Sequence, residues 1–203
     1  MKSHGEQKNL INFLKQFGGH PLPDWSDKIN IIGIRNGKNQ DQDIFNDVIL
    51  LMIGENIYSF NGTTDPGKYW TENAAKEWGV AGVAHLMEGW YPRTYKIGPH
   101  MGEDALVQYG NAVTVWRDVD KDFNFNPEID VIQSGYFGIN IHYTKNNPEH
   151  IGRWSAGCQV IHYREDWIAF LKMVESSGPE WYNYLLINVN DLESKYKTMF
   201  FGA

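Results

Sequence analysis

Turns set the terms for this chain. Its apolar residues come in short runs, and clusters of glycine, asparagine and aspartate interrupt them at close intervals. Such punctuation leaves little room for a helical bundle and favours many short strands joined by tight turns. Residues 29–34 (INIIGI), 47–53, 57–60 and 184–189 (YLLINV) are apolar runs of strand length. Gly54-Glu55-Asn56 predicts a hairpin between the second and third of these. Residues 79–98 read as two strands around a turn at Glu88-Gly89, and 105–109 with 112–116 as a hairpin through Gly110-Asn111. The expected fold is mainly β, an α+β chain built on a sandwich or mixed sheet with peripheral helices.

Helical spacing appears in three places. In 4–17 it carries Leu10, Ile11, Phe13, Leu14 and Phe17, with Gly18-Gly19 as the stop and Pro21 and Pro23 beyond it. In 164–176 it carries Trp167, Phe170, Leu171 and Val174, and 191–201 forms a short amphipathic tail. The expected organisation is a helical extension and linker over 1–28, packed on the outside of a single domain over 29–203.

The chemistry concentrates in 138–160, GINIHYTKNNPEHIGRWSAGCQV, which holds the single cysteine of the chain, Cys158, and His142 before it. A catalytic thiol needs a base, a group that orients the base, and donors for an oxyanion. Residues 138–142 read as a short strand ending on the histidine, and 155–158 as a small-residue turn whose amides can face a tetrahedral oxygen. A paired histidine is expected to lower the pKa of the thiol. The histidine-first order argues against a papain-like arrangement, where the cysteine comes first. The competing view of a lone cysteine, a buried small hydrophobe, stands against this.

The pattern Ile141-His142-x-Thr144, Asn146-Asn147-Pro148, Ile151-Gly152 and Ser155-x-Gly157-Cys158 resembles the signature of the L,D-transpeptidase catalytic domain (YkuD-like). The likeness covers about twenty residues. It departs at Ala156, where many members have a second histidine, and at Val160, where many have arginine or asparagine. It implies a cysteine acyltransferase or peptidase acting on peptidoglycan stem peptides. Cys158 would be the nucleophile and His142 its base, oriented by the backbone carbonyl of Tyr143, with the Gly157 amide in the oxyanion site. Asn140, Arg153, Trp154 and Ser155 would line or brace the substrate groove, with Thr63 and Thr64 near it. No cofactor and no metal is implied, and a monomer is expected. An inactive module that only binds cell-wall peptide is the alternative from another class.

Composition narrows the partners. A formal charge of −7 argues against a nucleic-acid footprint. No apolar run reaches transmembrane length, and the first twenty residues lack the apolar core of a secretory signal. The expected site of action is nonetheless the periplasm or cell wall, reached by phage release, by a secretion system as an effector, or as a processed form. Two further features read as structural. His85 and His100 are expected to be satisfied histidines at strand edges. Residues 118–126 alternate acids and amides, but Phe123 holds the glycine position of a calcium loop and Ile129 its terminal acid, so a solvated loop is expected.

Overall fold

A computed structural model describes residues 4–15, 29–37 and 43–202. The elements are α1 (His4–Lys15), β1 (Ile29–Arg35), β2 (Asp47–Ile53), β3 (Asn56–Thr63), α2 (Lys68–Trp78), β4 (Val83–Leu86), β5 (Gly89–His100) and β6 (Glu103–Gln108). There follow β7 (Val113–Asp118), β8 (Val131–Gly135), β9 (Ile141–Tyr143), β10 (Gln159–Ile161), α3 (Arg164–Ser177), β11 (Tyr182–Asn188), a 3-10 turn and α4 (Ser194–Phe201). The glycine stop after α1, the two prolines and the linker at 25–28 lie outside the described residues, as do residues 38–42.

The fold is mainly β with helices around it, but the large sheet closes on itself. Eight strands form a barrel in the order β1-β11-β5-β6-β9-β10-β3-β2, and β4-β7-β8 make a separate three-stranded sheet. The barrel is mixed: β1 runs parallel to β11 and β9 parallel to β10, while the remaining neighbours are antiparallel. Closure removes the open edges that a sandwich of short strands would expose.

The predicted hairpin through Gly110-Asn111 does not form. β6 pairs with β5 and β9 in the barrel, whereas β7 pairs with β4 and β8. The intervening turn is tied to β5 instead, Gly110 N donating to Thr94 O at 3.0 Å and Asn111 N to Arg93 O at 3.1 Å. A Cβ on Gly110 would fall 1.7 Å from Arg93 O, so only glycine lets the chain cross from one sheet to the other here. The strands on either side of Glu88-Gly89 part in the same way, β4 to the small sheet and β5 to the barrel.

Two elements had no apolar signature to betray them. α2 buries only Thr71 and Ala74 of its side chains, and β8 is exposed along nearly its whole length. The continuous apolar run of β1 has a plain cause: both of its faces are covered. Ile29 and Ile31 face the barrel interior with Leu51, Tyr95, Ile141, Ile161 and Tyr184, into which α3 inserts Trp167, Phe170 and Val174. Ile32 and Ile34 face outward with Leu50, Leu185 and Ile187, and α1 covers them with Leu10, Ile11 and Leu14. The first helix therefore packs on the outside of the barrel.

Arg35, at the end of β1, fastens the small sheet to the barrel. Its Nε lies 3.2 Å from Thr64 Oγ1 and 3.0 Å from Asp65 Oδ1, and its Nη1 lies 3.0 Å from Glu88 Oε1. Nη2 donates to the carbonyls of Thr64 at 3.0 Å and of Leu86, the last residue of β4, at 2.9 Å. Nearby Asp47 accepts from Asn36 N and from the amide and hydroxyl of Thr64. Burial, and then the charge of Asp65, push the Asp47 carboxyl up to about 6.

Candidate active site

Two parallel strands of three residues position the site. Gln159 stands opposite Ile141 and Val160 opposite His142. Ile141, Tyr143 and Ile161 point into the barrel core, so strand alternation turns His142 and Val160 to the outer face. Cys158 joins Val160 there, packed against Phe45 and Ile151. Gln159 points the other way. It is fully buried, accepts from Tyr184 Oη at 2.7 Å and donates to the carbonyls of Gly157 and Thr64.

The base is oriented by its own strand. His142 Nδ1 donates to the carbonyl of Tyr143 at 3.1 Å, which fixes the proton on Nδ1 and leaves Nε2 as the lone-pair nitrogen. Burial, opposed by that hydrogen bond, lowers the imidazole to about 4, and the neighbouring His100 adds to the depression. The thiol is also shifted, against the sequence expectation. Burial pushes Cys158 up to about 11, with the amide of Asn140 pulling weakly the other way. At neutral pH the pair is therefore thiol and imidazole rather than thiolate and imidazolium. Sγ donates to Gly138 O at 3.4 Å and accepts from Asn140 N at 3.5 Å.

The turn before the cysteine is braced from inside. Ser155 Oγ donates to the Cys158 carbonyl at 2.7 Å and accepts from Gly157 N at 3.2 Å. Ser155 thus holds the turn, and the Gly157 amide, expected in the oxyanion site, is spent on Ser155. The amide of Asn140, by contrast, donates to the sulfur itself. Gly157 adopts φ +123°, and a Cβ there would stand 2.5 Å from Ala84 O, so no side chain fits between this turn and β4.

The expected groove residues divide. Asn140 is buried and committed to the protein: its Oδ1 accepts from Gln108 N at 3.0 Å, its carbonyl from Gln159 N at 2.8 Å, and its Nδ2 lies 3.1 Å from His100 Nδ1. Arg153 is exposed but lies on α2, its guanidinium 3.7 Å from the Tyr69 ring centroid and its carbonyl accepting from Trp70 Nε1. Trp154 is half-buried, and its amide closes the loop onto Ile151 O at 2.9 Å. Thr63 and Thr64 are buried, their hydroxyls turned to Asp65 O and to Asp47.

Two residues of the site were read otherwise or missed. His100, expected to be a structural histidine, ends β5 with its ring centroid 4.9 Å from that of His142. One nitrogen of each imidazole and the sulfur of Cys158 all lie within 4.8 Å of one another. Gln108 clamps the approach to the site, its Oε1 accepting from the amides of Phe137 and Ile139 at 3.1 Å each and its Nε2 donating to Gly135 O at 2.9 Å. Its only sequence signal is an amide at the end of an apolar strand. His85 is structural: Nδ1 lies 3.2 Å from Asp65 Oδ1 and the ring stacks on Trp116. In the acidic loop, Asp118 caps the amides of Asp122 and Phe123, and Asp130 those of Val119 and Asn126. A cleft of about 440 Å3, lined by Arg35, Asp65, Glu88, Trp116 and Phe125 among others, includes none of the Cys158, His142 and His100 side chains.

Among the described residues no helix is long and apolar enough to cross a membrane. No protein-family model, no curated protein and no solved structure matches the chain.

Proposed function

We propose that the protein is a cysteine acyltransferase or peptidase that acts on peptidoglycan stem peptides at the cell wall through a thioester on Cys158. The observation that carries this is the pairing of β9 with β10. It sets a thiol and a tautomerically fixed imidazole on one face of adjacent strands. The resemblance around Cys158 supplies the substrate class.

In the reaction, His142 Nε2 takes the thiol proton as Sγ bonds to the carbonyl carbon of the diamino acid at stem position three. Rotation of the thiol away from Gly138 O brings the proton to the base. The tetrahedral oxyanion then collapses, the C–N bond to terminal D-alanine breaks, and His142 returns the proton to the departing amine. Water or an amine attacks the thioester with His142 again as base, releasing acid or a new amide and restoring the thiol. Val160 is fully buried against Phe45 and Ile151, so the position two after the nucleophile offers a second peptide no polar contact. Ordering a bulky acceptor costs entropy that water does not. Trimming, or exchange with a small D-amino acid, accordingly competes well with cross-linking.

Incubation with purified tetrapeptide muropeptides, resolved by mass, tests both parts. Tripeptides, and exchanged tetrapeptides when a D-amino acid is added, are the expected products. Unprocessed tetrapeptide would reject the substrate class and leave a binding module. A pool dominated by cross-linked dimers would show that trimming does not compete.

A further inference from the structure

Among the described residues, two main-chain amides near the sulfur are already engaged. An acyl-transfer oxyanion is normally met by two positioned N–H groups about 2.7–3.1 Å from the oxygen. Here the Gly157 amide is held by Ser155 and the Asn140 amide points at the sulfur itself. The side chain that stands at the site without a part in the proton transfer to His142 is His100.

Its protonation state follows from the hydrogen bonds around it. Gln108 N donates to Asn140 Oδ1, which fixes the orientation of that amide, so Asn140 presents Nδ2–H, a donor, to His100 Nδ1. Nδ1 must therefore be the acceptor, and the proton of the neutral ring sits on Nε2. Burial lowers the pKa of His100, which favours the neutral ring. The same logic argues against the three side chains acting as zinc ligands, although thiolate and imidazole are zinc-binding types. One nitrogen of His100 is already occupied by Asn140 and the other carries a hydrogen. The buried His142 and the half-buried His100 thus have opposite tautomers, His142 with its lone pair on Nε2 and His100 with its proton there. One is built to take a proton and the other to donate a hydrogen bond.

We infer that His100 is an oxyanion donor, its Nε2–H received by the oxygen of the acyl group on Cys158, with Asn140 as the positioning residue that sets its tautomer. A ring nitrogen within 4.8 Å of the sulfur leaves room for an oxygen between them. This rests on Cys158 as the nucleophile of the proposed function, but not on the identity of the peptide.

The test separates acylation, which needs an oxyanion donor, from alkylation, which does not. Acylation of Cys158 by p-nitrophenyl acetate is followed by intact mass, and alkylation by iodoacetamide is followed at pH 9. His100→Phe is expected to slow acylation by about 10²–10³-fold, as for loss of one oxyanion donor, and to leave alkylation at the wild-type rate. His100→Gln, a neutral donor, recovers part of the loss. Nitrogen-15 NMR of the imidazoles in the wild-type protein, which requires no variant to fold, should show His100 protonated on Nε2. In Asn140→Asp the proton should move to Nδ1 and acylation should fall. Acylation of His100→Phe at the wild-type rate, a parallel fall in alkylation, or a wild-type Nδ1–H tautomer would each overturn the inference. If stem peptides are not processed while the ester acylates Cys158 in a His100-dependent way, the substrate class fails and His100 keeps its role. If the ester leaves wild-type Cys158 unmodified, the nucleophile and the donor fall together.

Discussion

Cys158→Ala and His142→Gln should each reduce stem-peptide turnover by at least about 10³-fold, and the double variant should be no worse than either single one. The two groups act in one step, so losing either forfeits the whole route. Thioester formation, followed by intact mass, is the direct measurement; turnover by Cys158→Ala would place the nucleophile elsewhere. The pH dependence has a definite sign. His142 is neutral above about 4, so acylation should rise through that value on its acid limb and stay level through neutrality. Iodoacetamide reactivity should instead climb toward the alkaline value of the thiol, about 11. Stability follows by linkage. An unfolded histidine takes up a proton near about 6.5, whereas the folded one resists until about 4. The unfolded state thus binds more protons across that window, and stability falls as the pH drops through it. His142→Gln, which cannot take up that proton, should show a shallower acid decline in thermal melts.

Arg35→Met should cost about 3–5 kcal/mol, the usual penalty for breaking one side of a buried ion pair. The guanidinium meets Asp65, Glu88, Thr64 and the carbonyl that ends β4, and it is 7% exposed. Its removal leaves Asp65 beside Asp47 without the cation between them, and it unfastens β4, whose Ala84 carbonyl backs the Gly157 turn. Arg35→Lys should recover little, because one ammonium cannot reach the partners of a planar fork. Urea unfolding monitored by tryptophan fluorescence measures the cost. A loss under about 1 kcal/mol would mean that the two sheets hold together by apolar packing alone.

What the sequence disclosed tracks what is local. β1, β2, α3 and β11 are legible because their apolar runs are continuous or periodic, and each is buried as its pattern requires. α2 and β8 are not, because they contribute little to any core. The barrel's closure depends on pairings between distant segments, such as β1 with β11, which no local pattern records. The site divides along the same line. Cys158 and His142 lie in one short stretch, and the strand and turn around them can be read from it. His100 and Gln108 arrive from β5 and β6, so nothing in their own neighbourhoods marks them. The thiol's raised pKa was equally hidden, since it follows from enclosure and not from the partner.

The walls of the barrel are unequal. β2 lies against β3 from Asp47 through Ile53, but among the described residues β6 meets β9 only at Leu106 and Ile141, and β10 meets β3 only at Val160 and Ile161. Hydrogen bonds that close a sheet also hold it still, and sparse ones let it open locally. Amides of 141–143 and 159–161 should therefore exchange with deuterium well ahead of those of 48–52; uniform protection would show that α3 and the loop at 144–158 clamp the seam shut. The thiol and its base sit at the two short, mutually paired strands that lie between those sparse pairings. Where the cylinder is most weakly stitched is also where two atoms must close a gap, so a slight flexing of the wall can bring them into register while the long strands stay fixed.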